Sequence, residues 1–362
     1  KHGSVIFDDN NNLIRDTDKT KWDSLINVLY NKDIYYQSTC YDRCSRNGNI
    51  AYKKGDTLFV FTAHNKTSKA ITTPQNGIVV AEAVHRNEFG ITKGIFWSEQ
   101  GNKLAYYEMD ESMVSEYPIV DITQRIAKVR PLRYPMAGET SHEVKVKIYD
   151  TQKETTTTIN TEMTGDSYFT NIAWRPDGKS ICMAEINRAQ NEMHFNIYNA
   201  ETGNLTATVF TEKDSNWIEP CKPAIFIDND NFVWLSDRDG YTHIYLYNIN
   251  TKKHRQLTFG NWCVSDIYGY CPSTKSVYFQ SNERGFLYKD IYSVTLKGKK
   301  TCLTNDNIGV HTATFAPDRS SFVDYLSSVD IATKTTWRNN KGEVIEELNE
   351  TVNPYKGYKL PS

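Results

Sequence analysis

The stretch Ala83–Val114, AVHRNEFGITKGIFWSEQGNKLAYYEMDESMV, contains the strand pair on which the fold prediction depends. Its segments IFW (95–97) and LAYY (104–107) are apolar and aromatic, and Gly101 between them marks a turn. Similar strand pairs recur along the chain, whereas the polar tip HRNE (85–88) occurs once. The repeated pairs therefore indicate a scaffold, and the tip is the first candidate for a functional site.

The front of this unit returns at fairly regular intervals. WSEQG begins at 97, WRPDG begins at 174, and weaker copies begin at 226, 270 and 315. The spacings are 77, 52, 44 and 45 residues, and three of them are near the roughly 40–50 residues of a four-stranded propeller blade. A four-stranded sheet cannot cover both of its faces alone, but blades packed around an axis cover one another. We therefore predict an all-β chain, with residues 1–362 forming a single β-propeller domain of about six to eight blades.

The 77-residue interval is longer than one blade and predicts an insertion of about 30 residues, around 108–140. Such an insertion lies in a loop on one face, where functional residues are common. A solvated, charged connection is the alternative, because basic residues cluster in 121–135. Before the regular repeats, Trp22–Tyr30 fits either a short helix or a strand, and Asp33–Tyr36 predicts a strand.

Composition excludes several classes of partner. The net charge is −2 with no basic block, so nucleic acid is not expected as a partner. No apolar run approaches the roughly 18 residues that span a bilayer.

The chain starts at Lys1 without an apolar signal core, which we interpret as a mature or trimmed sequence. Seven cysteines leave at least one unpaired, and bridges Cys40–Cys44 and Cys263–Cys271 compete with scattered buried thiols as interpretations.

No recognisable catalytic motif is present. The sequence lacks a G-x-S-x-G elbow, an HExxH pair, a P-loop and a GxGxxG turn, and its eight histidines are dispersed. We therefore predict no catalytic residue, no metal site and no cofactor in this chain. Asp228–Asn231 (DNDN) suggests a calcium site, but a β-turn with Asx hydrogen bonds is the favoured interpretation.

Two acidic positions are candidates for binding an ammonium group. The tip holds His85, Arg86, Asn87 and Glu88, and Asp110-Glu111 form a second acidic pair at the end of the stretch. A carboxylate on a loop holds an ammonium by charge-assisted hydrogen bonds, which are stronger than neutral ones. An ordinary solvated turn is the alternative at both places.

These residues resemble a known family. AVHRNEF, KGIFWSEQGNKLAYYEMDESMV, YPMAGE (134–139) and WLSDRDGYTHIYLYN (234–248) are similar to the N-terminal propeller of dipeptidyl peptidase IV-type enzymes, in the prolyl oligopeptidase (S9) group. The likeness is greatest to forms from Bacteroides-like bacteria. It extends from about Asn49 to Glu343 and is diffuse in the first forty-odd residues.

The resemblance implies a two-domain serine peptidase, secreted or periplasmic. Its C-terminal α/β-hydrolase domain, absent from this chain, carries the Ser, Asp and His triad, so the chain alone should be inactive. The enzyme removes dipeptides with proline or alanine in second position from peptide N-termini. The implied partners are the hydrolase domain and the substrate N-terminus. Dimerisation is common in the family, so a homodimer is an open alternative.

The resemblance also implies how the amine is recognised. In the family an acidic pair on a short helix binds the free α-amino group, and here the pair falls on Asn87 and Glu88, so only Glu88 matches. Either amine binding rests on Glu88, helped by Asp110 or Glu111, or substrate choice has drifted. Arg86 beside Glu88 competes with the ammonium group for the negative charge of the Glu88 carboxylate. The family's arginine for the substrate carbonyl is not placed, because Arg43 and Arg46 lie where the likeness is diffuse.

Two other functions stay open on the sequence. A non-catalytic propeller that binds protein or glycan through its loop tips has the same repeats. A propeller glycosidase or lyase needs several acidic residues converging on the central channel. The gene sequence after Ser362 separates the peptidase from the binding propeller, because a peptidase requires G-x-S-x-G followed by Asp and His.

Overall fold

A computed structural model describes residues 5–220, 222–306, 308–351 and 357–358. Antiparallel strands dominate, and within these residues they form six sheets of blade size and two separate hairpins. The chain divides into two compact units, Ile26–Pro223 and the described part of Lys1–Leu25 with Ala224–Ser362. None of the helices in the described ranges is long and apolar enough to cross a bilayer.

The unit Ile26–Pro223 contains three blade-sized sheets. The first sheet consists of β3 (Cys40–Arg43), β4 (Ile50–Lys54), β5 (Thr57–Thr62) and β6 (Thr67–Ala70). The second has five strands, which are β7 (Ile78–Val80), β8 (Ile95–Trp97), β9 (Lys103–Asp110), β12 (Glu143–Asp150) and β13 (Thr155–Thr158). The third consists of β14 (Tyr168–Trp174), β15 (Ser180–Ile186), β16 (Glu192–Asn199) and β17 (Leu205–Lys213).

The predicted insertion is a hairpin of its own. Strands β10 (Glu116–Asp121) and β11 (Lys128–Arg133) pair with each other in register from Glu116↔Arg133 to Asp121↔Lys128. They lie in sequence between β9 and β12, which are neighbours in one sheet. The insertion therefore leaves that sheet intact and extends from the end of β9.

The other unit contains three sheets and the first hairpin. Its first sheet consists of β18 (Ile225–Phe226), β19 (Asn231–Ser236), β20 (His243–Asn248) and β21 (His254–Gln256). The next consists of β22 (Val264–Cys271), β23 (Ser276–Ser281), β24 (Asp290–Thr295) and β25 (Lys300–Cys302). The last consists of β26 (Val310–Phe315), β27 (Ser321–Ser327), β28 (Lys334–Asn339) and β29 (Val344–Glu350). The hairpin of β1 (Val5–Phe7) and β2 (Leu13–Arg15) packs Phe7 against Val323 of this last sheet. The predicted all-β fold of four-stranded sheets is confirmed.

Two short helices precede the first blade. Trp22–Tyr30, open between helix and strand on sequence, lies in helix α1 (Lys19–Tyr30), whose start is capped by Asp18 accepting from the Lys21 N–H at 3.3 Å. The strand predicted over Asp33–Tyr36 is wrong, because helix α2 covers Lys32–Tyr35. The Asn31 carbonyl accepts the N–H groups of Ile34 and Tyr35 at 2.9 and 3.0 Å. These bonds close a helical turn and outweigh the strand propensity of Ile and Tyr.

Burial shows why the repeats carry aromatic residues. The inner strand β15 is buried at six of its seven positions and β23 at all six, instead of at every second position. Both faces of these strands are therefore covered by protein. The tryptophans that begin the repeat motifs also connect successive sheets. The indole of Trp97 donates to the Asp42 carbonyl at 3.2 Å, and that of Trp174 donates to the Phe96 carbonyl at 2.9 Å.

Six of the seven cysteines are free thiols, and Cys221 lies outside the described residues. The bridges Cys40–Cys44 and Cys263–Cys271 considered from the sequence do not form. Each pair is separated along an extended strand, β3 or β22. At about 3.3 Å per residue the two separations are about 13 and 26 Å, far beyond the roughly 7 Å limit for a disulfide.

The acidic run at 228–231 is a turn, as favoured from the sequence. Asp228 Oδ1 accepts the backbone N–H groups of Asp230 and Asn231, both at 2.8 Å. The carboxylate therefore has local backbone partners, which is the Asx hydrogen bonding expected between two strands.

A buried charge network connects the last two sheets. Asp324 accepts from His311 Nδ1 at 2.8 Å and from Arg338 Nε at 2.9 Å, and all three side chains are almost fully buried. His311 Nε2 lies 4.0 Å from a carboxylate oxygen of Asp290 on β24, which is bound in turn by Arg284. Asp324 therefore binds both buried basic side chains, and Arg338 has a second carboxylate partner in the exposed Asp306, at 2.8 Å.

We predict that Asp324→Ala lowers the free energy of unfolding by about 3–5 kcal/mol, because it removes the buried carboxylate that binds both His311 and Arg338 and leaves Arg338 with the exposed Asp306. Urea unfolding followed by tryptophan fluorescence measures this change. Asp318→Ala is the matched control, since Asp318 is exposed in a turn and its carboxylate accepts the Ser320 N–H. A loss for Asp324→Ala no larger than that of the control contradicts this account of the network.

Candidate functional site

The polar tip forms a tight turn in left-handed backbone conformation. The short 3₁₀ segment His85–Gly90 has φ values of 52°, 55°, 66° and 54° at His85, Arg86, Asn87 and Phe89. Such angles are uncommon for residues other than glycine and cost free energy. Surrounding contacts must therefore fix the turn, and those of His85 and Asn87 explain how.

His85 is a buried anchor of the turn. Its Nε2 accepts the Phe169 backbone N–H at 3.2 Å, so the ring proton lies on Nδ1 and is directed at His142 Nε2, 3.4 Å away. Burial, and secondarily the neighbouring His142, lowers the pKa of His85 to about 3. The ring is therefore neutral near pH 7 and joins the turn to β14.

Asn87, which replaces an acid expected from the resemblance, closes the turn. Its Nδ2 donates to the Ile91 carbonyl at 2.9 Å, and its backbone N–H donates to the Val84 carbonyl at 3.1 Å. An ionised carboxylate accepts hydrogen bonds only, so it cannot make the first of these bonds. Asparagine also tolerates the left-handed conformation better than most residues. The structure thus accounts for Asn87 as a local structural residue.

Arg86 is directed at the insertion. Its guanidinium donates to the Arg133 carbonyl at 2.5 Å and lies over the Tyr134 ring, 4.8 Å from the centroid. The sequence suggested that Arg86 competes for the charge of Glu88. In the structure Arg86 is held instead by the end of β11 and by the residue after it.

Glu88 is exposed and carries the carboxylate of the tip. Its backbone carbonyl accepts the Ile91 N–H at 3.1 Å, while its side chain has no hydrogen bond or ion pair within the described residues. It lines a cavity of about 260 Å³. The other residues of this lining are His85, Arg86, Tyr134–Glu139, Ser141, His142, Asp166, Ser167, Tyr168 and Arg188.

Asp110 and Glu111 are not part of that lining. Asp110 ends β9 and accepts the Ser112 N–H at 2.9 Å, and hydrogen bonds from the Ser112 side chain and then from this N–H lower the pKa of Asp110. Burial raises the pKa of the partly buried Glu111, against the opposing effect of Arg86 and then Arg133. The structure brings Glu88, Arg86 and His85 to one cavity, and places Asp110 and Glu111 outside its wall.

Sequence reasoning missed Asp166, Tyr168 and Arg188. They come from the loop before β14, from β14 itself and from the loop between β15 and β16. No motif or spacing connects these positions with residues 85–88, because strand pairing and sheet packing bring them together. Arg43 and Arg46 line a different cavity of about 420 Å³ with Lys93 and Trp97.

Comparison with known proteins agrees with this arrangement of sheets. Residues 6–333 match the model of the dipeptidyl peptidase IV N-terminal region. The chain belongs to this family. Together with the blade-type sheets, membership identifies the fold as a β-propeller.

The relatives that this chain matches are about twice as long as the chain itself. Dipeptidyl peptidase 4 of Arthroderma otae is 26% identical over 336 residues, which cover 86% of this chain and 43% of that protein. A Bacteroides ovatus crystal structure assigned as a dipeptidyl aminopeptidase IV is 37% identical with a TM-score of 0.82, covering 90% of this chain and 48% of that one. Porphyromonas gingivalis dipeptidyl peptidase 4 shares the fold, with 24% identity, a TM-score of 0.78 and coverage of 86% and 45%. The chain thus spans somewhat less than half of these relatives.

The lowered pKa of His85 predicts a pH-dependent stability. As the pH falls below the ordinary histidine value of about 6.5, the unfolded chain takes up a proton that folded His85 does not, so stability is lost on acidification. Between pH 7 and pH 5 wild type should lose about 2 kcal/mol more unfolding free energy than His85→Gln. Urea unfolding at both pH values measures the difference. The control His64→Gln, at an exposed site, should behave as wild type, and equal losses in wild type and His85→Gln contradict the prediction.

Proposed function

We propose that this chain is the substrate-gating propeller of a serine dipeptidyl peptidase that removes X-Pro and X-Ala dipeptides from peptide N-termini. One observation carries the proposal: the Glu88 carboxylate is exposed at a cavity and has no protein partner within the described residues. An ammonium group at that carboxylate makes charge-assisted hydrogen bonds. Family membership supports a peptidase context for this interaction.

The surrounding charges favour a free Glu88. Arg86 is held by the Arg133 carbonyl and the Tyr134 ring, and the pKa of Glu111 responds to both Arg86 and Arg133. We therefore propose an indirect role for Glu111, whose negative charge attracts Arg86. Asp110, at the end of β9, adds to the negative field of the same segment.

Catalysis in this proposal belongs to the hydrolase domain of the same polypeptide. Ser, Asp and His of that domain supply the nucleophile, the orienting acid and the base. The present chain supplies the site that binds the free N-terminus, so that cleavage falls after the second residue. By itself it is inactive. A secreted or periplasmic location fits such a peptidase. A stop codon directly after Ser362 would instead favour the protein- or glycan-binding propeller.

Substitution of Glu88 tests the proposed amine site. In the full-length enzyme, Glu88→Ala and Glu88→Gln should lower kcat/KM for Ala-Pro-p-nitroanilide at least about thirtyfold, because a hydrogen bond to a charged group contributes about 2 kcal/mol. Glu154→Gln removes another exposed carboxylate, one paired with Lys69, and should leave kcat/KM within about twofold of wild type. Near-wild-type activity of both Glu88 variants, with unchanged thermal stability, rules out this site.

The insertion supports the proposal that a homodimer forms. Its hairpin carries several exposed apolar side chains, and these are Tyr117, Ile119, Val120, Ile122, Ile126, Val129 and Leu132. Such a hairpin also presents two unpaired strand edges, which favour association. We propose that a second copy of the full-length protein covers this surface.

Charge placed at the hairpin tip tests this interface. Ile122→Asp with Ile126→Asp, at positions that are each 81% exposed, should shift the full-length protein from dimer to monomer in sedimentation equilibrium. Val329→Asp is the matched control at a fully exposed valine of the other unit and should leave the dimer intact. A wild-type monomer, or a dimer that persists in the double variant, contradicts the proposed surface.

A further inference from the structure

Arg188 is a second charged residue of the cavity that contains Glu88. It lies in the loop between β15 and β16, with its guanidinium carbon 5.7 Å from the centroid of the Tyr168 ring. Its Nη1 also donates to the Tyr168 hydroxyl. A ring face and a hydroxyl together restrict the orientation of the guanidinium.

Tyr168 connects Arg188 with the amine-binding tip. The Tyr168 ring meets the Phe89 ring edge-on, with centroids 5.2 Å apart, and the His85 ring at 5.1 Å. Phe89 directly follows Glu88. Tyr168 therefore contacts both Arg188 and the residue that follows Glu88, and Glu88 and Arg188 line one cavity.

The guanidinium of Arg188 has no carboxylate partner within the described residues. Asp166 lines the same cavity, but no ion pair within 4.0 Å joins it to Arg188, and Arg188 has no contact besides those with Tyr168 and its electrostatic effect on His142. The other arginine of the wall, Arg86, is engaged with Arg133 and Tyr134. Burial, followed by Arg86, lowers the pKa of His142, so that ring is neutral near pH 7. Arg188 thus has donors left for a ligand, and its guanidinium is held only by Tyr168 among the described residues.

We propose that Arg188 selects peptides whose N-terminal residue has an acidic side chain. The proposal rests on the amine site at Glu88 described above. In an amino-terminal Asp or Glu the ammonium and the side chain leave the same carbon atom, so one residue presents both charges to one cavity. The ammonium binds Glu88 and the side-chain carboxylate binds Arg188, whose planar guanidinium suits a carboxylate with two parallel hydrogen bonds.

A different role for Arg188 makes a different prediction. An arginine that binds the main-chain carbonyl of the substrate helps every peptide equally, whatever its first side chain. An arginine that binds the first side chain changes the ratio of kcat/KM values between substrates. The ratio between acidic and neutral dipeptides therefore separates the two roles.

The experiment measures kcat/KM of the full-length enzyme for Asp-Pro-, Ala-Pro- and Lys-Pro-p-nitroanilide. Wild type should prefer Asp-Pro to Lys-Pro by about tenfold or more. Arg188→Ala should lower kcat/KM for Asp-Pro about tenfold and leave Ala-Pro within about twofold, and Arg188→Glu should prefer Lys-Pro. Arg255→Ala, which removes an exposed arginine in the other unit, should match wild type on all three substrates.

Equal losses on all three substrates in Arg188→Ala, or a wild-type enzyme without preference for Asp-Pro, overturn the assignment of Arg188 while leaving the amine site standing. Failure of the wild-type enzyme to release any X-Pro dipeptide overturns the proposed function and this inference together. Circular dichroism and melting temperatures that match wild type confirm that each variant is folded.

Discussion

The structure depends on the need to cover both faces of each four-stranded sheet. An inner strand such as β15 or β23 is buried along nearly its whole length, so it is stable only when protein lies on both sides. Aromatic residues supply much of this contact, and the indoles of Trp97 and Trp174 each donate a hydrogen bond to the preceding sheet. In these two sheets the Trp that begins the repeat motif therefore attaches the sheet to the one before it.

The candidate site exploits this rigid arrangement. A turn with four left-handed residues is costly, and it is held by His85 bonding to β14 and by Asn87 closing onto Ile91. The consequence is an exposed Glu88 whose side chain is not used by the turn. Arg86, two positions before Glu88, is held by the Arg133 carbonyl and the Tyr134 ring. The insertion thus contributes to the site as well as presenting an apolar surface.

Much of the fold could be predicted from the sequence, and the site only in part. Repeat spacing predicted the blades, and the long interval predicted the insertion now seen as β10–β11, because both are properties of local sequence. The strand prediction over Asp33–Tyr36 was wrong because backbone hydrogen bonds to the Asn31 carbonyl close a helical turn there. Residue propensity alone does not take such bonds into account. Glu88 was predicted as a site residue from the polar tip and the family resemblance. Arg188 was not, since its proximity to that tip arises from the packing of β14 beside the turn, contacts distant in sequence.

The central claim is that Glu88 receives the amino terminus of a peptide. The most direct measurement is the crystal structure of the full-length protein with the dipeptide Ala-Pro bound. We predict the ammonium nitrogen within about 3 Å of a Glu88 carboxylate oxygen, the distance of a charge-assisted hydrogen bond. An ammonium bound by other residues, with the Glu88 side chain directed into solvent, would contradict the account.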